Sequence, residues 1–454
     1  MPQPLPSTAA IARQLIAQAW PNFVAHLLSM GMMIADTVIA GRYGTADLAG
    51  VAIGSSYYVS VMLLFTGILQ AVAPTVAHHV GARQDAAVSQ TLQQGFWLAC
   101  FLALPGLLLL THPQALFGWA GVPDDVAQRA SRYLAAAAWG FPAVLVFRTF
   151  AGFSNAIGQP RALMMIGAVV TASHIPLAWS LTNGAFGMEP MGGTGCGVST
   201  AIVNWLALLS AIVYLRAHKA YRRFALFATW HRPHWLAQRD LLRLGVPMGL
   251  STFIDVSSFT LIAILAARMG DATVAGHRVI ANITALIYML PLSIAIATLV
   301  HVGQSMGAQD PDRARAVARA GLRLTLGFAL VIGVVIWLLR EPLISAYSTD
   351  PAVRSLAMGL VIYLCFYQAF DGLQTVAAYA LRGYKVTLLP MVLHTVCFWG
   401  VGLMGGYWLR FHAPWRADEP SVAGFWQACV LATLLAGILF ISLMRKVARI
   451  RQRG

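Results

Sequence analysis

Acidic side chains are scarce in this sequence: 16 Asp and Glu among 454 residues, against 31 Lys and Arg. All charged residues together make up 10%, well short of the roughly 25% usual for a soluble domain. With 58% hydrophobic residues, a water-soluble chain so poor in charge would expose large apolar patches and aggregate. Cysteine is rare as well. Cys100, Cys196, Cys365, Cys397 and Cys429 all fall in apolar stretches, with no CxxC and no Cys/His cluster, which argues against a disulfide framework or a metal centre and for packed thiols. No GxxxxGKS or GxxxxGKT run is present to cradle ATP phosphates. Nor is there a clustered His/Asp/Glu set or Ser/Lys pair within an apolar stretch, so an intramembrane protease or lipid transferase is not the reading, and no enzyme activity is expected.

Long apolar runs fill the space that charge leaves. A membrane-crossing helix needs roughly 20 apolar residues, because the hydrocarbon core is about 30 Å thick and a helix rises about 1.5 Å per residue. Twelve runs qualify, near 15–41, 48–77, 92–110, 130–156, 162–183, 193–215, 242–268, 274–302, 316–339, 355–381, 387–409 and 422–444. Only short polar connections separate them. The expected fold is an all-α integral membrane protein of twelve transmembrane helices. The first run is too long for a signal-peptide core and contains Asp36, so it is expected to stay as the first helix.

The basic excess reads as an orientation signal rather than a nucleic-acid surface. With the N-terminus placed inside, 21 Lys and Arg fall on the cytoplasmic side, including seven in 216–243, four in 313–323 and five in 445–453. Nine fall outside: Arg42, Arg129, Arg132, Arg268, Arg278, Arg340, Arg354, Arg410 and Arg416. Arg148 alone lies within a run. The bias puts both termini in the cytoplasm, with inner-leaflet lipid head groups as partners of the basic loops.

The sequence repeats itself. Pro21 and Pro247, Gly44 and Gly270, Ala49-Gly50 and Ala275-Gly276, and Gly81-Ala82 and Gly307-Ala308 all share one offset of 226 positions. The expected organisation is a six-helix lobe over 1–217, a basic cytoplasmic linker over 218–240 and a second six-helix lobe over 241–454. Six spans per repeat give both lobes one orientation, related by an axis along the membrane normal. Transporters of this kind place substrate near the midplane between repeats.

A charge in the hydrocarbon core costs about 2.5–3.5 kcal/mol on insertion scales. Thirteen of the acidic residues lie in connections or near run ends; Asp36, Asp255 and Asp371 do not. Isolated deep carboxylates can hold a proton, a monovalent cation or a cationic substrate, and exchange one for another. Arg148 is either a counter-ion to one of these aspartates or a snorkelling side chain. His174, His301 and His394 read as packing histidines, and Pro21, Pro247 and Pro291 as helix kinks.

Four segments then resemble one family. DGLQTVAAYALRGYKVTLLPM (371–391), AGHRVIANITALIYMLPLSIAIATLVHVGQSMGA (275–308), DTVIAGRYGTADLAGVAIGSS (36–56) and GGTGCGVSTAIVNW (192–205) are similar to signatures of the multidrug and toxic compound extrusion family, NorM branch. The resemblance implies two pseudo-symmetric six-helix lobes forming a V around a cleft. It implies a monomer in the bacterial inner membrane that exports organic cations and dyes in exchange for Na⁺ or H⁺, without a cofactor. By the same resemblance, Asp371, Asp255 and Tyr367 fall at a coupling-ion site in the C-terminal lobe, where Na⁺ is a candidate. Asp36 corresponds to the N-lobe acid, Phe259 to a cleft aromatic, and Asp350 to a ligand-linked position at the outer mouth. Two departures stand out. The family usually has Glu where Asp255 stands, and often Asn where His174 and Ala178 flank Ile175-Pro176, which disfavours Na⁺ in that lobe. A flippase for lipid-linked saccharides is the rival reading; it calls for a basic cavity.

The orientation is directly testable. Reporter fusions after Gly454 and within 216–243 should both report cytoplasm; a periplasmic signal from either reverses the topology.

Overall fold

The computed structural model describes residues 7–226, 228–267, 269–412 and 422–453. Arg268, Arg416, Gly454 and the first six residues lie outside the described residues. The described chain is helical, with no strand. Helix α1 spans Thr8–Tyr43, α2 Thr45–Leu69, α3 Val72–Gly81, α4 Asp85–Thr111, α5 Gln114–Trp119, α6 Asp124–Ala138 and α7 Phe141–Ala156. Then come α8 (Arg161–Asn183), α9 (Gly193–Ala217), α10 (Lys219–Arg222), α11 (Trp235–Ala267) and α12 (Asp271–Gly307). The last are α13 (Pro311–Leu338), α14 (Arg340–Ser345), α15 (Pro351–Gly383), α16 (Leu388–His394), α17 (Gly405–Phe411) and α18 (Ala423–Arg453). Between α16 and α17 the helix widens to π geometry over Thr395–Met404.

Eleven helices among the described residues are long and apolar enough to cross a membrane, counting α2–α3 and α16–α17 as single spans. The twelfth expected span is the pair α6–α7, bent by 53° at its short break. The twelve-span expectation therefore holds, with one crossing broken.

The 226-residue offset is visible in the backbone. Asp85 and Pro311 open α4 and α13, Gln114 and Arg340 open α5 and α14, and Gly81 and Gly307 close α3 and α12. Even a strained connection is repeated: Arg83 has φ 57° and Gln309 φ 58°. Neither is glycine, and side chains rarely adopt that left-handed region.

The chain forms two compact units, Pro21–Gly249 and Met1–Trp20 with Leu250–Gly454. These differ from the lobes read off the sequence. The break falls inside α1 and inside α11 rather than in the 218–240 connection. Packing gives the reason. Ile11, Leu15 and Ala19 are buried in one core with Ile254, Val376, Phe440 and Met444. Leu241 and Met248 belong to the core of Pro21–Gly249. Small residues allow the second arrangement: a Cβ on Gly67 would come within 2.5 Å of the Gly249 Cα.

Nor is 218–240 a free linker. Tyr221, Phe224 and Leu226 are buried in the same core, and Tyr221 reaches Ser154 Oγ at 3.1 Å. Two buried glutamines of α4 hold the strap that follows. Gln93 Nε2 donates to the carbonyls of Leu226 (3.0 Å) and Thr229 (2.7 Å), and Gln93 Oε1 accepts from His231 N at 2.8 Å. Gln94 Nε2 donates to Arg232 O at 2.9 Å, and Gln94 Oε1 accepts from His234 N at 3.0 Å and Gln238 Nε2 at 2.8 Å. Backbone groups of an irregular segment need partners when buried, and these amides supply them.

Gln93→Ala leaves buried partners unpaired, at about 1–3 kcal/mol. It should lower the melting temperature in detergent and speed trypsin cleavage at Arg222, Arg223 and Arg232. Unchanged melting and cleavage would mean that the strap is held by other contacts.

Candidate functional site

Each unit buries its own acidic centre. In the unit containing residues 250–454, Asp371 lies on α15 and is 5% exposed. Helical spacing places Tyr367 one turn before it on the same face, and Tyr367 is buried too. Asp255, on α11, interacts electrostatically with both Asp371 and Arg382. Tyr288 of α12, Tyr367 and Cys429 of α18 each interact with both carboxylates, so the two aspartates share one environment. The structure thus brings Asp255, Asp371 and Tyr367 into one environment.

No basic side chain pairs with Asp371 among the described residues. Its Oδ1 accepts a hydrogen bond from Gln374 Nε2 at 3.0 Å, and that nitrogen also donates to Thr375 Oγ1 at 3.1 Å. Gln374 Oε1 lies 3.1 Å from His394 Nε2, so the imidazole is the donor. His394 is wedged between Phe398 and Phe440, each with ring centroids 5.0 Å away. Asp255 has no hydrogen-bond partner among the described residues. The centre is therefore two carboxylates, Asp371 held by a neutral amide and Asp255 subject only to the charges of Asp371 and Arg382.

Aromatic rings wall this centre. Phe259 meets Tyr367 edge-on at 5.5 Å, and Trp426 meets Tyr367 at 5.9 Å and Phe259 at 6.2 Å. His277 stands 5.8 Å from Trp426. Such faces attract organic cations. Sequence reasoning missed Trp426, Tyr288 and Gln374, and set His394 aside as a packing residue. The signal for Trp426 was masked by the abundance of Trp and Tyr near span ends.

Asp350 is not part of this centre. It caps α15, accepting a hydrogen bond from Ala352 N at 2.8 Å on an exposed surface. Twenty-one residues of helix separate it from Asp371, about 32 Å at 1.5 Å per residue. A side chain satisfied as an N-cap at that distance cannot contribute charge to the buried pair.

In the unit Pro21–Gly249, the centre is Asp36 on α1. Its Oδ1 lies 2.8 Å from His174 Nε2 of α8, and His174 is fully buried while Asp36 is 13% exposed. His174 Nδ1 meets Ser199 Oγ of α9 at 3.0 Å. His174 is therefore a partner of the acid and not a packing residue. Among the described residues no ion pair joins Arg148 to an aspartate; its electrostatic neighbours include Tyr58 and His26.

Residues 21–180 and 247–408 match the MatE family model. The chain is 60% identical over 443 residues to the probable multidrug resistance protein NorM of Aromatoleum aromaticum, covering 98% of this chain and 96% of the relative. It is 34% identical over 438 residues to the multidrug resistance protein PmpM of Pseudomonas aeruginosa, covering 96% and 92%. In fold it is similar to the eukaryotic MATE transporter AtDTX14, with a TM-score of 0.88 at 18% identity over 98% of this chain and 99% of the other. It is also similar to the Vibrio cholerae MATE transporter VcmN in the bent form, with a TM-score of 0.83 at 17% identity and 98% of each chain covered.

Gln374→Leu keeps volume but strands Asp371 and His394. Two buried groups left unpaired should cost about 1–3 kcal/mol each, read as a lower melting temperature in detergent. A variant as stable as wild type would show that Gln374 does not fix Asp371.

Proposed function

Because the chain belongs to the MatE family, the multidrug and toxic compound extrusion transporters, we propose that it exchanges cations at buried carboxylates, with Asp371 and Asp255 as the principal pair. The chain is a multi-pass membrane protein and a secondary multidrug efflux antiporter of the NorM branch. It moves solutes and, in our reading, carries no catalytic activity. The observation that supports the site is the shared, aromatic-walled environment of Asp371 and Asp255, in which neutral donors hold one acid and none holds the other.

Two carboxylates close together in low dielectric repel when both are ionised. A proton or Na⁺ relieves that repulsion, and so does a cationic drug. Carboxylate oxygens are hard donors and suit Na⁺ as well as a proton. Whichever cation occupies the pair neutralises it and weakens its hold on the others, which is antiport by linkage. Tyr367 and Phe259 present ring faces to an organic cation or dye, while Asp36 supplies a second acidic site. Export proceeds across the bacterial inner membrane, from a monomer with both termini in the cytoplasm and its basic loops on anionic lipid. The flippase reading is not favoured: the relatives are named as multidrug resistance proteins, and the paired deep charges are acidic.

Dye affinity measured by fluorescence across pH 5.5–8.5, with and without Na⁺, tests the exchange. Asp371→Asn should abolish any Na⁺ effect and reduce the pH effect. A mutant that loses affinity yet keeps both full wild-type responses removes Asp371 from the exchange.

A further inference from the structure

Building on the reading of cation exchange at carboxylates, we infer that His174 and Asp36 form one shared proton site, and that His174 makes it selective for a proton over Na⁺. Three contacts define the group. Asp36 Oδ1 and His174 Nε2 are 2.8 Å apart, His174 Nδ1 and Ser199 Oγ 3.0 Å apart, and Ser199 Oγ lies 3.3 Å from the His174 carbonyl oxygen. The imidazole is fully enclosed, and access is from the carboxylate side.

Ser199 has two acceptors within reach, and this gives the group two complete hydrogen-bond patterns. In the first, a neutral imidazole donates Nε2–H to an ionised Asp36, and the Ser199 hydroxyl donates to Nδ1. In the second, one more proton sits on Nδ1. Nδ1–H then donates to Ser199 Oγ, and the hydroxyl turns to donate to the His174 carbonyl. No polar atom of the three is orphaned in either state. The charge of the group changes from −1 to 0 as one proton enters. An organic cation held by the first state is released by the second, one positive charge for one proton. The proton between Oδ1 and Nε2 is shared by the two side chains across 2.8 Å.

Na⁺ cannot use the same device. A hard cation needs several oxygen ligands. Here an N–H donor occupies Oδ1, and Ala178 offers no side-chain oxygen one turn beyond His174. The other titratable groups facing Asp36 are Tyr133 of α6 and Cys196 of α9. Asp47 interacts with Cys196, and Arg148 acts on Tyr58, a neighbour of Tyr133. Among the described residues, His174 is the basic side chain that touches the acid.

The test is dye affinity against pH and Na⁺ in full-length protein, with ethidium as the probe, in wild type, His174→Asn, Ser199→Ala, Asp371→Asn and Asp371→Asn/His174→Asn. Monodispersity and melting temperature confirm the fold of each. One linked proton gives a limiting tenfold change in affinity per pH unit. In Asp371→Asn a pH response should survive, and adding His174→Asn should remove it or move its midpoint by about one pH unit or more, because the imidazole that takes up the added proton is gone. Ser199→Ala retains the imidazole but removes the partner of Nδ1 in both patterns; the charged Nδ1–H left unpaired costs more than the neutral nitrogen left unpaired, so the midpoint should shift against protonation. If His174→Asn folds poorly, the Ser199→Ala profile decides. A wild-type pH profile in folded His174→Asn, or in Ser199→Ala where that variant must decide, overturns the inference. Failure of the carboxylate-exchange reading looks different: Asp36→Asn and Asp371→Asn would both bind ethidium with wild-type pH and Na⁺ dependence.

Discussion

Hydrocarbon offers no hydrogen bonds, so a polar atom placed in it must be answered from within the protein. The internal partners of the deep groups follow from that requirement. Gln374 answers Asp371 and His394 at once, Ser199 and Asp36 answer the two nitrogens of His174, and Asn22 answers Asn155 at 2.9 Å. Outside the spans the same requirement shapes the strap of 226–238, whose carbonyls and amides are taken up by two glutamines of α4. Asp255 stands apart, with a charge neighbour but no donor among the described residues.

The two units repeat a backbone but not a chemistry. Under the 226-residue offset, Asp36 corresponds to Ile262, Asp255 to Ser29 and Asp371 to Leu145. Gln374, which orients Asp371, corresponds to Arg148. The glycines, the helix starts and the left-handed Arg83 and Gln309 were retained because they set helix geometry. The deep polar groups sit at unrelated positions, so each unit has its own arrangement: an acid paired with imidazole in one, two acids among aromatics in the other.

Much of this was legible in the sequence. Apolar run length carried the twelve spans, and the scarcity of acids singled out Asp36, Asp255 and Asp371. The partners were not legible. His174 lies 138 positions from Asp36, and Trp426 lies 59 from Tyr367; a single sequence has no signal for such pairings. His394 looked peripheral because a single sequence does not reveal that its imidazole meets Gln374, Phe398 and Phe440. Asp350 stands before a proline in a loop, which reads equally as a ligand or as the cap of the next helix; the structure shows the cap. Ile11 and Leu15 were assigned to the wrong lobe because chain proximity was taken for spatial proximity.

That last exchange has a consequence for how the chain is made. Residues 8–20 leave the ribosome long before their buried neighbours Ile254, Val376 and Phe440, which come more than 200 residues later. The opening turns of α1 must wait in the membrane, partly unpacked, until most of the polypeptide has been inserted. Gene fragments divided in the 218–240 connection would each lack a piece of core, since the first would carry Ile11 away from its unit and the second would carry off Leu241 and Met248. Assembly of this protein is therefore tied to completion of the whole chain, and quality control acting on half-made copies would meet an exposed apolar stripe at the very N-terminus.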